Sequence, residues 1–175
     1  MNLFVTNVSP FVAATHLDDK RLGSALREAC QMMSAAVKVH DDNFDEFEHC
    51  GEGKVCRGMG YQHHPVSLWV MSSRSRWGWT WQYAKSVSRE YELRYGKSHG
   101  AAPRVRYLRQ FRDCLPTGPL LPFQNSARNE GLGLDFTHLP VPVSYQEYLM
   151  ARWPEDKRAV TFTNRGAPIW SRLAA

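Results

Sequence analysis

Residues Asp18 to Val39 read DDKRLGSALREACQMMSAAVKV. Leu22, Ala25, Leu26, Ala29, Met32, Met33, Ala36 and Val37 recur at three- and four-residue steps, the spacing of one buried helix face. Asp18 or Asp19 is placed to cap the N-terminus, where a carboxylate accepts from free backbone N–H groups and meets the positive end of the dipole. The opposite face carries Arg21, Ser24, Arg27, Glu28 and Gln31. Glu28 is the only carboxylate in this stretch beyond the cap. A lone acid among cations is either an ordinary surface pair, the commoner arrangement, or a carboxylate held ionised for chemistry. Spacing leaves both open.

On the N-terminal side, Asn2–Asn7 is a short apolar stretch, LFVT at its centre, and is expected to lie extended against the core. Ser9-Pro10 opens a short helix running to His16, with Pro at a position that needs no donor. On the other side, His40–Tyr61 is acidic and then glycine-rich, and His40–His64 is expected to form a surface loop insertion. His49, Cys50, Cys56, His63 and His64 are residue types that bind zinc, but their spacing fits no paired ligand pattern. Neither a metal nor another cofactor is expected.

Val66 to Tyr95 has a helical pattern with a break expected at Gly78. Val66, Trp69, Val70, Ser73, Trp77, Thr80, Ala84, Val87 and Tyr91 make its stripe, and most of the tryptophans are expected to fill the core. Gly96 suits the residue that ends the helix. Gly96–Asp113, GKSHGAAPRVRYLRQFRD, concentrates Lys97, His99, Arg104, Arg106, Arg109 and Arg112, and is read as a phosphate-contact surface. Cys114–Val143 is rich in Pro and Gly and is expected to wrap the helical core as an ordered loop. Ser144-Tyr145-Gln146-Glu147 reads as a capping box opening a helix through Trp153, and Trp170 is expected to anchor the basic tail.

The chain has 175 residues, 43% of them hydrophobic, enough for one domain with its own core. The expected architecture is all-α: a compact single domain spanning 1–175, a central buried helix packed on a long aromatic one, and a wrapping extension over 113–175. Lys and Arg total 22 against 17 acids, a net charge of +5. Basic segments interleaved with Trp and Tyr are a usual footprint of nucleic-acid binding. Four cysteines do not make a disulfide framework in a chain this long. No signal peptide and no membrane-spanning run is read, so a soluble protein of a reducing compartment is expected. P-loop, Gly-x-Ser-x-Gly, His-Glu-x-x-His and dinucleotide fingerprints are absent.

Asp19, Arg21, Leu22, Arg27 and Glu28, followed by His64, Ser67 and Trp69 and then by Arg89, Glu90, Tyr91, Tyr95 and Gly96, form a pattern over roughly the first hundred residues. It resembles the pyrimidine-dimer DNA glycosylases, the bacteriophage endonuclease V-like family. Met1-Asn2-Leu3-Phe4, Asp19-Lys20-Arg21 and Glu90–His99 also resemble a set of small phage-encoded proteins, which implies a phage protein acting in the host cytoplasm.

The family resemblance implies that Glu28 is the catalytic carboxylate. It would stabilise positive charge developing on the sugar as the base departs, and then assist proton transfer. Arg27 would contact DNA and keep the acid ionised, and Arg21, where the family has histidine, would serve a phosphate. The family's nucleophile is the α-amine of a small second residue, freed by removal of Met1. Here residue 2 is Asn, after which Met1 is normally retained; Met1 would then be the nucleophile only if its amine reaches the site, and Asn2 would take a binding role. Asp19, Lys20, Gln31, His64, Arg94, Lys97, His99, Arg104 and Arg106 are the candidate contacts to double-stranded DNA and an extruded pyrimidine.

Two alternatives follow. One is a hypermodification transferase that adds an amino acid or amine co-substrate to pyrophosphorylated hydroxymethyluracil in DNA, with Glu28 deprotonating the amine. The other is a DNA-binding protein without catalysis.

Overall fold

The computed structural model describes residues 2–45, 47–48 and 61–173. Among these, six α-helices carry the architecture: α1 Pro10–Thr15, α2 Asp19–His40, α3 Pro65–Met71, α4 Arg74–Tyr95, α5 Ala102–Leu108 and α6 Val141–Arg152. The sole sheet among them is an antiparallel pair, β1 Arg128–Asn129 with β2 Leu134–Asp135. The fold is mostly helical, as expected.

α2 is the central helix. Asp18 caps it, accepting from the backbone N–H groups of Lys20 at 3.1 Å and Arg21 at 3.2 Å. Its apolar stripe is wholly buried, and Ser34 and Ala35 are buried too, because α3, α4 and α5 all pack on it. Alanines at 25, 29 and 36 let these neighbours approach closely. α4 lies along it with Trp77, Tyr83, Ala84 and Val87 inward, and the Trp77 indole donates to the Met33 carbonyl at 3.4 Å.

The second helical pattern breaks at Ser72–Ser73, not at Gly78, which lies inside α4. Ser73 is extended (φ −160°, ψ 151°), caps Arg76 N through its hydroxyl, and donates that hydroxyl to Pro119 O. A mid-helix glycine costs only about 1 kcal/mol, which burial of Trp77 and Trp79 on either side offsets. Trp69, Trp79 and Phe123 meet at ring distances of 5.1–6.3 Å. Trp81 is half-exposed between Lys85 and Arg109. Gly96 ends α4 in the left-handed conformation (φ 64°).

α6 begins at Val141, earlier than the Ser144 box suggests. Ser144 is instead buried, its hydroxyl bonded to Asn125 Oδ1 and Phe136 O. Leu3, Phe4 and Val5 are buried, with Phe4 edge-on to Tyr145 and stacked on Tyr148 of α6.

The segment after α6 returns to the α2–α4 end. Thr163 donates through N–H and hydroxyl to Asp19, Arg165 pairs with Glu90, and Trp170 stacks on Trp153 at 5.8 Å. No helix among the described residues is long and apolar enough to cross a membrane.

Candidate active site

Glu28 lies in the third turn of α2, half-buried, and its Oε2 accepts from the backbone nitrogen of Asn2 at 2.6 Å. Residue 2 is fixed on both sides. Its Nδ2 donates to Ser126 O at 3.1 Å, and its Oδ1 accepts from the Tyr145 hydroxyl at 2.7 Å. Tyr145 in turn accepts from Ser126 N at 3.2 Å. The N-terminal segment, α2, α6 and residues 125–129 thus converge on one carboxylate.

That carboxylate opens into a cavity of about 380 Å³ lined by Asn2, Phe4, Glu28, His64, Pro65, Ser126, Arg128, Asn129 and Tyr148. The volume falls within the range of about 300–1,000 Å³ typical of small-molecule sites. His64 stands at the N-cap of α3, its Nδ1 accepting from Val66 N at 3.2 Å. Burial, together with nearby positive charge including that of Arg128, lowers its pKa, so at neutral pH the ring is uncharged. Beneath the site, Tyr83 is fully buried, and burial followed by the charge of Glu28 and by Tyr145 raises its pKa far above the ordinary phenol value. Its hydroxyl has no hydrogen-bond partner among the described residues.

Arg27 points elsewhere. It is exposed and lines a second cavity of about 660 Å³, between the first turns of α2 and residues 152–161, with Lys20, Gly23, Ser24, Arg152, Lys157 and Arg158. The Asp156 side chain lies in its floor, 2% exposed, held by Lys20 (2.6 Å), Arg21 (2.8 Å) and Arg152 (3.3 Å). Burial pushes its pKa up, but Lys20 and Arg21 outweigh that and lower it. His99 sits beside Arg27's turn, bonded to Gly23 O at 3.2 Å.

The residues read from sequence therefore separate. Asn2, Glu28 and His64 share one cavity; Asp19, Lys20 and Arg27 line the other. Lys97 and Arg106 are exposed, Gln31 and His99 half-buried.

Three arginines are placed differently from expectation. Arg21 is only 6% exposed and is spent on Asp18 and Asp156, not on the polar stripe. Arg94 is clamped by Glu90 and Asp19, with its guanidinium over Phe162. Arg104 is fully buried, bonded to Ser34 Oγ and the carbonyls of Asp45 and Glu48, and stacked against Phe44 and Tyr107. Arg94 and Arg104 therefore do not belong to a phosphate-facing surface, because their charges are already satisfied inside.

His49, Cys50, Cys56 and Met1 lie outside the described residues. Within these, no group of three His, Cys, Asp or Glu side chains is placed to hold a metal. Ser126, Arg128, Asn129, Tyr145 and Tyr148 escaped the sequence reading as site residues. They come from a Pro- and Gly-rich stretch and the helix after it, where no motif marks them.

The helical scaffold thus presents one acid to the nitrogen of residue 2, and a separate groove at the first turns of α2 is lined by cations. The model of the pyrimidine dimer DNA glycosylase family matches residues 1–102, and the chain belongs to that family. No curated protein and no solved structure matches the chain. The matched region contains Asn2, Glu28 and His64; the cavity residues Ser126, Arg128, Asn129 and Tyr148 lie beyond it.

Proposed function

We propose that the protein is a DNA glycosylase that removes a damaged or exposed pyrimidine, with Glu28 as its catalytic carboxylate. The observation that carries this reading is the 2.6 Å bond from Asn2 N to Glu28 Oε2 inside a cavity open to solvent. When the C1′–N1 bond breaks, its electron pair leaves with the base and positive charge spreads over C1′ and O4′. A carboxylate fixed beside that centre stabilises the charge and takes the proton of the attacking nucleophile. Family membership supports the same role.

While Met1 is attached, the nitrogen of residue 2 is an amide: it donates to Glu28, orients it and cannot attack. The nucleophile is then water, deprotonated by Glu28, and the product is an abasic site. If Met1 is removed, the same nitrogen becomes an α-amine already set on the carboxylate. Schiff-base formation at C1′ and strand cleavage follow from that placement. Arg27, Lys157 and Arg158, which make no ion pair among the described residues, suit the phosphates of the strand running past the site.

The test is duplex DNA carrying one pyrimidine dimer, treated with protein and then with borohydride or alkali. A borohydride-trapped adduct identifies the amine route, and alkali-labile sites without an adduct identify the water route. Neither product, with tight binding kept, moves the reading to base modification; Glu28→Gln turnover equal to wild type removes the carboxylate's role.

A further inference from the structure

Arg128, on β1, lines the same cavity as Glu28 and lies in the part of the chain beyond the family match. Its side chain is 57% exposed; its ion pair among the described residues is with Glu130, at 4.0 Å and itself 87% exposed, and Asp135, opposite it on β2, feels its charge. Such a solvated pair holds little energy, so the guanidinium is available to a stronger anion. The root of its hairpin is fixed. Phe136 N donates to Ala127 O at 3.0 Å, and Asn125 Nδ2 donates to Thr137 O and Leu139 O. Asn125 Oδ1 accepts from Ala127 N and the Ser144 hydroxyl. Ser126, two residues before Arg128, is bonded to Asn2, which is bonded to Glu28. The position of Arg128's backbone is thereby registered to the carboxylate through two side chains and one turn.

We propose that Arg128 is a positioning residue that clamps a phosphate of the target nucleotide, setting its sugar against Glu28. A nucleotide whose C1′ faces the carboxylate carries its phosphates one sugar's width away. A planar guanidinium in the same cavity can take two of the phosphate oxygens at once. Asn129 and neutral His64 add polar groups without competing charge. This rests on the glycosylase reading for the identity of the sugar, while phosphate binding itself needs only DNA. The C-terminal region would then complete a site that the matched region leaves open on one side.

The experiment measures affinity for a dimer-containing duplex over a range of salt concentrations, in a Glu28→Gln background that suppresses turnover. Arg128→Gln should lower the slope of log affinity against log salt by about one, and Arg128→Lys should recover most of that loss. With Glu28 present, Arg128→Gln should raise KM about tenfold with kcat changed much less. An unchanged slope and KM overturns the clamp while leaving the glycosylase reading in place. A lowered slope in a protein that excises nothing supports the clamp and removes the glycosylase. A lowered melting temperature with the slope unchanged makes Arg128 structural and overturns the proposal, and absence of salt-dependent DNA binding in the parent protein overturns both.

Discussion

Arg27 and Glu28 are neighbours in sequence yet line different cavities, the arginine a cationic groove of about 660 Å³ and the acid a site of about 380 Å³. One residue step turns a helix by about a hundred degrees, and the proposed function assigns strand binding to one of these side chains and chemistry to the other. Arg27→Gln should therefore raise KM and reduce the salt dependence of DNA affinity by about one phosphate contact, with single-turnover rates at saturating DNA little changed. Steady-state and single-turnover kinetics on the same substrate check the split.

Tyr145 ties residue 2 to the cavity wall by donating to Asn2 Oδ1 and accepting from Ser126 N. Tyr145→Phe leaves both groups without that partner and should cost about 1–3 kcal/mol of stability. It should also slow the chemical step, because the nitrogen facing Glu28 loses its register, while DNA affinity is kept. Urea unfolding and single-turnover excision measure the two effects separately.

Arg104 has the opposite signature. Arg104→Ala removes a buried guanidinium, leaving a cavity against Phe44 and Tyr107 and Ser34 without that partner, and should destabilise by about 3 kcal/mol or more. The salt slope of DNA binding in the folded fraction should stay as in wild type. A fall in that slope at full stability would place Arg104 on the DNA surface after all.

The helix at Asp18–Val39 was legible because its apolar period is unbroken and its cap is a local residue. Glu28 could be singled out only through the order of surrounding residues, since spacing alone fits a surface pair equally well. The buried arginines were not legible. Arg21, Arg94 and Arg104 look like surface charges in sequence, and their partners Asp156, Glu90 and the Asp45 carbonyl are set by packing rather than by helix spacing, except for the i,i+4 Glu90–Arg94 pair. The break at Ser73 depends on a hydroxyl bond to Pro119, which no local signal reveals. The C-terminal part of the site was hidden for the same reason: residues 125–129 are held by Asn125, Ser144 and Tyr145 across long sequence distances.

Burial lowers the pKa values of His16, His64 and His99 below 6.5. Nδ1 of both His64 and His99 accepts a backbone N–H, which a protonated ring cannot do. The unfolded chain thus binds protons at a higher pH than the folded one, so stability is full above the unfolded value and declines as pH falls below 6.5. Asp19 and Asp156 are shifted downward, so their contribution is present above 3.8 and lost as pH falls further. Urea midpoints taken between about pH 7.5 and 5.5 should fall with little change in slope, a window in which those carboxylates stay ionised.

The central claim is that Glu28, held against the nitrogen of residue 2, performs base excision. Its most direct measurement is single-turnover release of alkali-labile sites from a duplex with one pyrimidine dimer, comparing wild type with Glu28→Gln at matched DNA affinity. The predicted result is excision at the dimer by wild type and a loss of about 10²–10⁴-fold in the variant, with binding intact. Equal rates for the two proteins, or no dimer-dependent product from wild type, would contradict it.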